Sequence, residues 1–458
     1  MKAKDFKNKK ITIIGLGLHG GGVGSAKFFS ELEAKVLVTD LKSKEELKES
    51  IAKLKDYPIK YVLGQHRPED FINTDLVIKN PAIPENSRYL QIAKENKVPI
   101  DTDIGIFFEL CPAKIIGVTG TKGKSTTSAL IARFLKRKYS NTFLAGNIRK
   151  SALEILDSID KNSFVVLELS SWQLAGLRPH KKSPQCSVIT NILPDHLNKY
   201  KNMESYISDK REIFKWQKSK DSLILNFDDK IVRQMADKTK KPKIFYYTKE
   251  NEFSNAASAR KEKIYFNEKE ICSFDDIKLK GGHNISNILA AVSVAKLYNI
   301  SDKDIKQVLG KFQGLNGRLE EIDTIEKVKY INDTTATIPD ATLAALSSFP
   351  PKKNIILIAG GSDKKLNFEK LALMIVKKVK TLILLDGSAT HNLENLDKDL
   401  ETIGPFNNMK QAVFEAKDRA SENDIVLLSP ACASFGLFKH EFERGEQFNQ
   451  AVKLLREQ

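Results

Sequence analysis

Apolar residues in this chain follow two rhythms. Short unbroken runs such as ITIIG, KVLV, KIIGV, FVVL, NIILIAG, TLILL and DIVLL are strand-sized, and longer amphipathic segments such as GSAKFFSELEA stand between them. That alternation predicts an α/β protein with parallel sheets and helices packed on their faces. No run approaches the roughly 20 apolar residues that a bilayer requires, so no membrane insertion is expected. The rhythm breaks at Cys111-Pro112-Ala113, just before KIIGVTG, and again at Phe312 to Gly317 after a helical segment. Those joints divide the chain into three domains, residues 1–111, 112–314 and 315–458, each of ordinary domain size.

Composition adds little to that picture. With 458 residues, a hydrophobic fraction of 41% and a charged fraction of 29%, the chain reads as a globular protein with room for several cores. The start, MKAKDFKNKK, is basic but leads into a strand and glycines instead of a secretory apolar region, so a cytoplasmic location is expected. The cysteines, Cys111, Cys186, Cys272 and Cys432, have no C-x-x-C spacing, which argues against a zinc site or a disulfide framework. A net charge of +16 raises the question of nucleic acid. The lysines are spread in short clusters without interleaved aromatics or a nucleic-acid module. A solvated basic surface that attracts a small anionic substrate is the preferred reading, with no nucleic-acid partner.

Two glycine-rich turns carry the chemistry. The first, Gly15-Leu16-Gly17-Leu18-His19-Gly20, follows an apolar strand and precedes a helix, and Asp40 ends the next strand. Glycines there let the backbone approach a pyrophosphate at a helix N-terminus, and the acid can accept from a ribose or base. Alone, this pattern also allows an NAD(P)-dependent oxidoreductase. In the second, the strand KIIGVTG runs into Gly120-Thr121-Lys122-Gly123-Lys124-Ser125-Thr126 and then a helix. Backbone N–H groups around Gly123 can wrap phosphate, Lys124 can reach the β and γ phosphates of ATP, and Ser125 can hold Mg²⁺. The usual loop has a glycine where Val118 stands.

The spacing G-T-K-G-K-S-T resembles the Mur ligase family of ATP-dependent amide-forming enzymes. Further strings resemble that family in order: FVVLELSSWQL, ITNILPDHLNKY, KGGHNISNILAA, GRLEEI, INDTTATIPDATLAAL, IAGGSDKKLNF and LLSPACASFGLFKHEFERGEQF. The resemblance implies Rossmann-like first and last domains around a central ATP-binding domain with a mainly parallel sheet. It implies Glu168 on one Mg²⁺, His196 on a second, Asn284 and Asn287 on the adenine side of ATP, and Arg318 and Asp333 clamping phosphate and ribose. Lys210, by itself an ordinary helix lysine, aligns with the lysine that the family carbamylates with CO₂, which makes an oxygen ligand for the second Mg²⁺. Lys124, His196 and Lys210 are thus the implied catalytic set.

The late segment most resembles the branch of the family that joins D-glutamate to UDP-N-acetylmuramoyl-L-alanine through an acyl phosphate, releasing ADP and phosphate. The resemblance then places Gly17, Leu18, His19, Asp40, Asn80, Asn147, Ser170 and Gln173 on the UDP-linked substrate, and Thr337, Lys364 and Ser434 on the amino acid. A monomer is expected. The same chemistry with L-glutamate or another amino acid stays open. Departures from the pattern are Thr335, where a lysine is common, Ala82 and Arg149, where glycines are common, and Glu441, in the register of an aromatic. A cation near the glutamate or the carbamate is therefore missing, or another lysine supplies it.

Overall fold

The computed structural model describes residues 2–18, 20–148, 150–196, 199–239, 241–251, 256–279 and 281–457. His19 and Arg149 lie outside the described residues. Three sheets follow one another along the chain. The first contains β1 (Lys10–Ile14), β2 (Lys35–Asp40), β3 (Lys60–Leu63), β4 (Leu76–Lys79) and β5 (Ile100–Asp101), all parallel, in the order β3-β2-β1-β4-β5. The strand order turns back between β1 and β4, where Ile14 pairs with Lys79. In such sheets the crevice beyond the carboxyl ends at that switch point receives the ligand. Both the glycine turn after β1 and Asn80 after β4 open into it.

The second sheet comprises β6 (Lys114–Thr119), β7 (Thr142–Gly146), β8 (Phe164–Glu168), β9 (Cys186–Ile189), β10 (Ser222–Asn226), β11 (Lys243–Thr248), β12 (Ala257–Arg260), β13 (Lys263–Phe266) and β14 (Lys269–Ser273). Its order is β14-β13-β12-β11-β10-β9-β6-β8-β7, parallel from β7 to β12 and antiparallel beyond. Strand β6 is buried except for Lys114 because both faces are covered. Ile116 and Val118 pack with Leu130 and Ile288 of the helices Lys124–Lys136 and Gly282–Leu297. Ile115 faces the other way, into a core that also holds Ile213 and the first-domain residues Ile104 and Phe107. The first two domains therefore share apolar packing.

The third sheet, β15 (Glu320–Ile325), β16 (Val328–Asn332), β17 (Ile355–Gly360), β18 (Val379–Leu385), β19 (Glu401–Phe406) and β20 (Ile425–Leu428), runs β15-β16-β20-β17-β18-β19. Only the β15–β16 pair is antiparallel. Its two faces have cores of their own, so its joint to the central domain is polar by contrast.

The first joint carries a charged lock. His180, its side chain 11% exposed, is 2.8 Å from Asp101 through Nε2 and 3.0 Å from Glu109 through Nδ1. The Asp101 hydrogen bond, reinforced by Glu109, raises the imidazole above its ordinary 6.5 in spite of burial. The folded state thus holds the proton more tightly than the unfolded chain does. Its stabilising effect is complete below the unfolded pKa and fades as pH rises through the raised folded value. A His180→Gln variant is expected to melt below wild type near about pH 6 and to approach it near about pH 9. An equal deficit in thermal melts at both pH values would show that the imidazole contributes shape and not charge.

Candidate active site

The phosphate-type loop turns at the carboxyl end of β6, between that strand and the helix Lys124–Lys136. At Gly123 the φ of 85° lies in the left-handed region. A Cβ there would stand 2.1 Å from Asn287 Oδ1, so only glycine lets the loop sit against the helix Gly282–Leu297. Asn287 in turn donates to Asn284 Oδ1 at 2.9 Å, which holds both buried amides beside the loop.

Lys124 folds back to donate to the carbonyls of Gly120 (3.1 Å) and Thr121 (2.9 Å). Lys210, on the helix Met203–Lys215, reaches the same Gly120 oxygen at 2.8 Å and lies 4.6 Å above the Tyr206 ring. Burial lowers the pKa of both amines, and nearby Lys124 depresses Lys210 further. Tyr206 itself is 3.1 Å from Thr121 Oγ1. Arg318 crosses from the third domain to donate to Ser125 Oγ at 2.9 Å. Thr126 is buried in the first turn of the loop's helix.

Glu168 ends β8 beside the loop and is 2% exposed. Asn147 Nδ2 donates to its Oε1 at 3.0 Å, while Oε2 is buried with no hydrogen-bond partner. A buried, unpaired carboxylate oxygen is costly unless a cation meets it. With the Ser125 hydroxyl at the helix start, it fits Mg²⁺, which takes one or two protein oxygens and completes its shell with phosphate and water. Among the described residues no group of three or more His, Cys, Asp or Glu forms a metal cage.

His196 has a φ of 56° and its ring packs 4.7 Å from that of Trp172. Burial, with Lys364 and Lys124 nearby and only Asp195 opposing, brings its pKa to about 4, so at neutral pH it is an uncharged imidazole able to ligate metal. Its neighbour Asp195 is buried and accepts from Lys364 Nζ at 3.0 Å across the second joint. Burial pushes that carboxyl up, but Lys364 and Lys122 hold it far below the usual range. Lys364 also lies 3.5 Å from Thr337 Oγ1. Ser434, 3% exposed, follows Ala433, which exchanges backbone hydrogen bonds with Ser362, two residues before Lys364.

Asp333 is tied within its own domain. One oxygen accepts from Leu319 N at 3.2 Å and the other from Ser429 Oγ at 2.8 Å, and burial raises its pKa to about 7. Thr335 donates to the Gly317 carbonyl at 3.0 Å, so the departure from lysine is a hinge contact. Glu441 opens the last helix, and its carbonyl accepts from Thr334 Oγ1 at 2.6 Å.

At the first sheet, the Gly17 N–H donates to Asp40 Oδ2 at 3.1 Å, and Lys42 N donates to the other oxygen at 2.9 Å. Leu18 continues that turn. Asn80 bonds Gly15 O at 3.3 Å, and Ala82 N donates to its side chain at 3.1 Å. Gly15 has a φ of 91°, and a Cβ on it would come 2.9 Å from the Asn80 Cβ. Ser170 and Gln173 cap the short helix Ser171–Ala175 reciprocally, directly beyond β8. Gly120, Thr121, Lys122, Lys124, Ser125, Glu168, His196, Lys210, Arg318, Thr337 and Lys364 thus come together at the joint between the second and third domains, while Gly17, Asp40 and Asn80 gather separately in the first domain.

Sequence reasoning did not assign Asp195, Tyr206 or Asn191. Asn191 holds the loop by accepting from Lys122 N at 2.9 Å and donating to Lys122 O at 3.0 Å. Asp195 stood beside the assigned His196, but its partner Lys364 is 169 positions away and no spacing rule couples them.

Comparisons with known proteins agree with this anatomy. The chain matches the MurD-like N-terminal domain of Mur ligases at residues 9–102, the Mur ligase middle domain at 118–295 and the Mur ligase glutamate ligase domain at 317–432. It is 42% identical to UDP-N-acetylmuramoylalanine–D-glutamate ligase of Roseiflexus sp. (strain RS-1), over 97% of this chain and 98% of that one. The enzyme of that name from Borreliella afzelii (strain PKo) is 39% identical, covering 99% and 100%. Among solved structures, the UDP-N-acetylmuramate–alanine ligase of Thermotoga maritima superposes with a TM-score of 0.64 at 21% identity, covering 98% of this chain and all of that one. The MurF ligase of that organism, in complex with ADP, gives 0.59 at 17% identity, covering 92% and 96%. These last two likenesses speak for the fold.

Proposed function

Since the chain belongs to the Mur ligase family, we propose that it is an ATP- and Mg²⁺-dependent ligase that joins D-glutamate to UDP-N-acetylmuramoyl-L-alanine, a step in peptidoglycan precursor synthesis. The observation that carries this reading is one cleft holding the Lys124 loop, the unpaired Glu168 oxygen, and the Lys364–Thr337 pair next to Ser434. Phosphate handling comes from the central domain and amino-acid handling from the third.

The first-domain crevice would take the uridine diphosphate, with the glycine turn against the diphosphate and Asp40 and Asn80 shaping its walls. Asn147, Ser170 and Gln173 would face the muramoyl-alanine end. The γ-phosphoryl group of ATP moves to an oxygen of the alanyl carboxylate: a P–O bond to ADP breaks and one to the carboxylate forms. The glutamate nitrogen then attacks the acyl carbon, loses a proton, and phosphate leaves. Lys124 and Arg318 are placed to offset charge on the phosphoryl group in transit, and Asn284 and Asn287 to border the base of ATP. When bound, Mg²⁺ would supply further charge neutralisation, held by Ser125 and Glu168 and, at a second position, His196.

Lys210 is read as a carbamate. Burial lowers the pKa of its amine, which favours the neutral form that adds CO₂, and the product, formed with loss of one proton, would present anionic oxygens next to the loop carbonyl of Gly120. Labelled bicarbonate followed by mass spectrometry of the intact protein tests this. An unlabelled Lys210 in active enzyme overturns it. The chain is further read as a monomeric cytoplasmic enzyme, since one copy supplies every element of the cleft, and sedimentation checks the first point. No helix among the described residues is long and apolar enough to cross a membrane.

Phosphate release from Mg·ATP with UDP-N-acetylmuramoyl-L-alanine, compared for D-glutamate, L-glutamate, L-alanine and a diamino acid, tests the reading. Release dependent on D-glutamate is expected. Equal release with L-glutamate, or a response only to another amino acid, overturns the acceptor assignment.

A further inference from the structure

Lys122 lies inside the phosphate-type loop, yet its side chain leaves it. Its backbone is pinned on both sides, by Asn191 at 2.9 and 3.0 Å and by Thr190 Oγ1, which donates to its carbonyl at 2.6 Å. With the peptide held, the side chain crosses the second joint and donates to Thr337 Oγ1 at 3.3 Å. Lys364 approaches that same hydroxyl from the third domain at 3.5 Å. Two amines from different domains therefore converge on one oxygen.

Their charges are not equally matched. Lys364 has Asp195 at 3.0 Å. Desolvation, with Lys364, Lys124 and Arg318 nearby, pushes the Lys122 amine down to about 7, and the acid whose field reaches it is that same Asp195, already bound. The loop that carries Thr337, Asp333-Thr334-Thr335-Ala336-Thr337, contains no cation. A half-buried lysine short of a counter-charge is placed to receive an anion. Lys124 turns towards the loop carbonyls, where phosphate would sit, whereas Lys122 turns away towards the third domain.

We propose that Lys122 is a specificity-determining residue for the incoming amino acid: with Lys364 and Thr337 it binds a glutamate carboxylate, so the ATP loop itself supplies the cation that selects an acidic acceptor. This deepens the ligase reading and rests on it. It also makes the acidic acceptor complete only when the third domain lies against the loop, coupling amino-acid binding to closure.

The test is steady-state phosphate release by wild type, Lys122→Met and Lys122→Arg, varying D-glutamate, ATP and the UDP-linked substrate in turn. For Lys122→Met the KM for D-glutamate is expected to rise about tenfold or more, the loss of one charge-assisted contact, with the KM for ATP within about twofold. Lys122→Arg is expected to recover part of the affinity. A rise in the KM for ATP with that for glutamate unchanged would make Lys122 a phosphate ligand and overturn the proposal, as would no change in either. Melting curves accompany each variant, and Lys122→Gln replaces the methionine variant if that one melts early. Wild type that shows no glutamate-dependent release overturns the ligase reading and this proposal together. A responsive wild type with an indifferent Lys122→Met overturns the Lys122 assignment alone.

Discussion

Glu168→Gln is expected to lower turnover by about two to three orders of magnitude while leaving the protein at least as stable as wild type. The carboxylate is 2% exposed, and only one of its oxygens has a partner, the Asn147 amide. Such a group is unfavourable for folding, so glutamine, which has nearly the same shape and no charge, relieves a desolvation cost. An oxygen left without a hydrogen-bond partner beside the Lys124 loop is expected to act on a cation. Turnover against Mg²⁺ concentration, with thermal melts of the same samples, checks the claim. The variant should need more Mg²⁺ for half its maximal rate. A variant that loses stability but keeps its Mg²⁺ dependence would make Glu168 a structural acid.

The second large effect is on stability. Arg444 is fully buried on the helix Glu441–Leu454 and donates to Thr334 Oγ1 at 3.1 Å, Thr334 O at 2.7 Å and Cys432 O at 3.2 Å. It thereby ties the loop before Thr337 to the turn before Ser434, two pieces of the proposed amino-acid pocket. Burial depresses its pKa to about 10, which still leaves it charged at neutral pH. Arg444→Ala removes all three bonds, strands two buried carbonyls and opens a large cavity, and should destabilise by about 3 kcal/mol or more. Chemical denaturation measures that loss, and the KM for the amino acid should rise in parallel. Stability within about 0.5 kcal/mol of wild type would reject the clamp.

Much of this molecule could be read from one-dimensional pattern, for a physical reason. Strands buried on both faces must be continuously apolar, and so KIIGVT, FVVLE, IILIAG and VKTLILL stand out and became β6, β8, β17 and β18. Exposed edges lack that signature. Strand β19, ETIGPF, has no buried residue, and the short antiparallel β12 to β14 alternate weakly, so pattern reading passed over both. The glycine loop was legible because backbone geometry at a tight turn restricts residue type locally, as Gly123 against Asn287 illustrates.

By itself, then, the sequence determined the α/β class, the two glycine turns and the family resemblance, all of which depend on neighbours along the chain. Tertiary structure alone decided which charges meet. Lys364 finds Asp195, Arg318 finds Ser125 and Lys122 finds Thr337 across 169, 193 and 215 positions. Side-chain pairing over such separations depends on how whole domains pack, and Coulomb energies in a buried site depend on distance and solvent exclusion, neither of which a spacing encodes. Lys122, a member of the phosphate-type loop in sequence, thus turns its amine towards Thr337 of the third domain, a direction visible only once the domains were folded together.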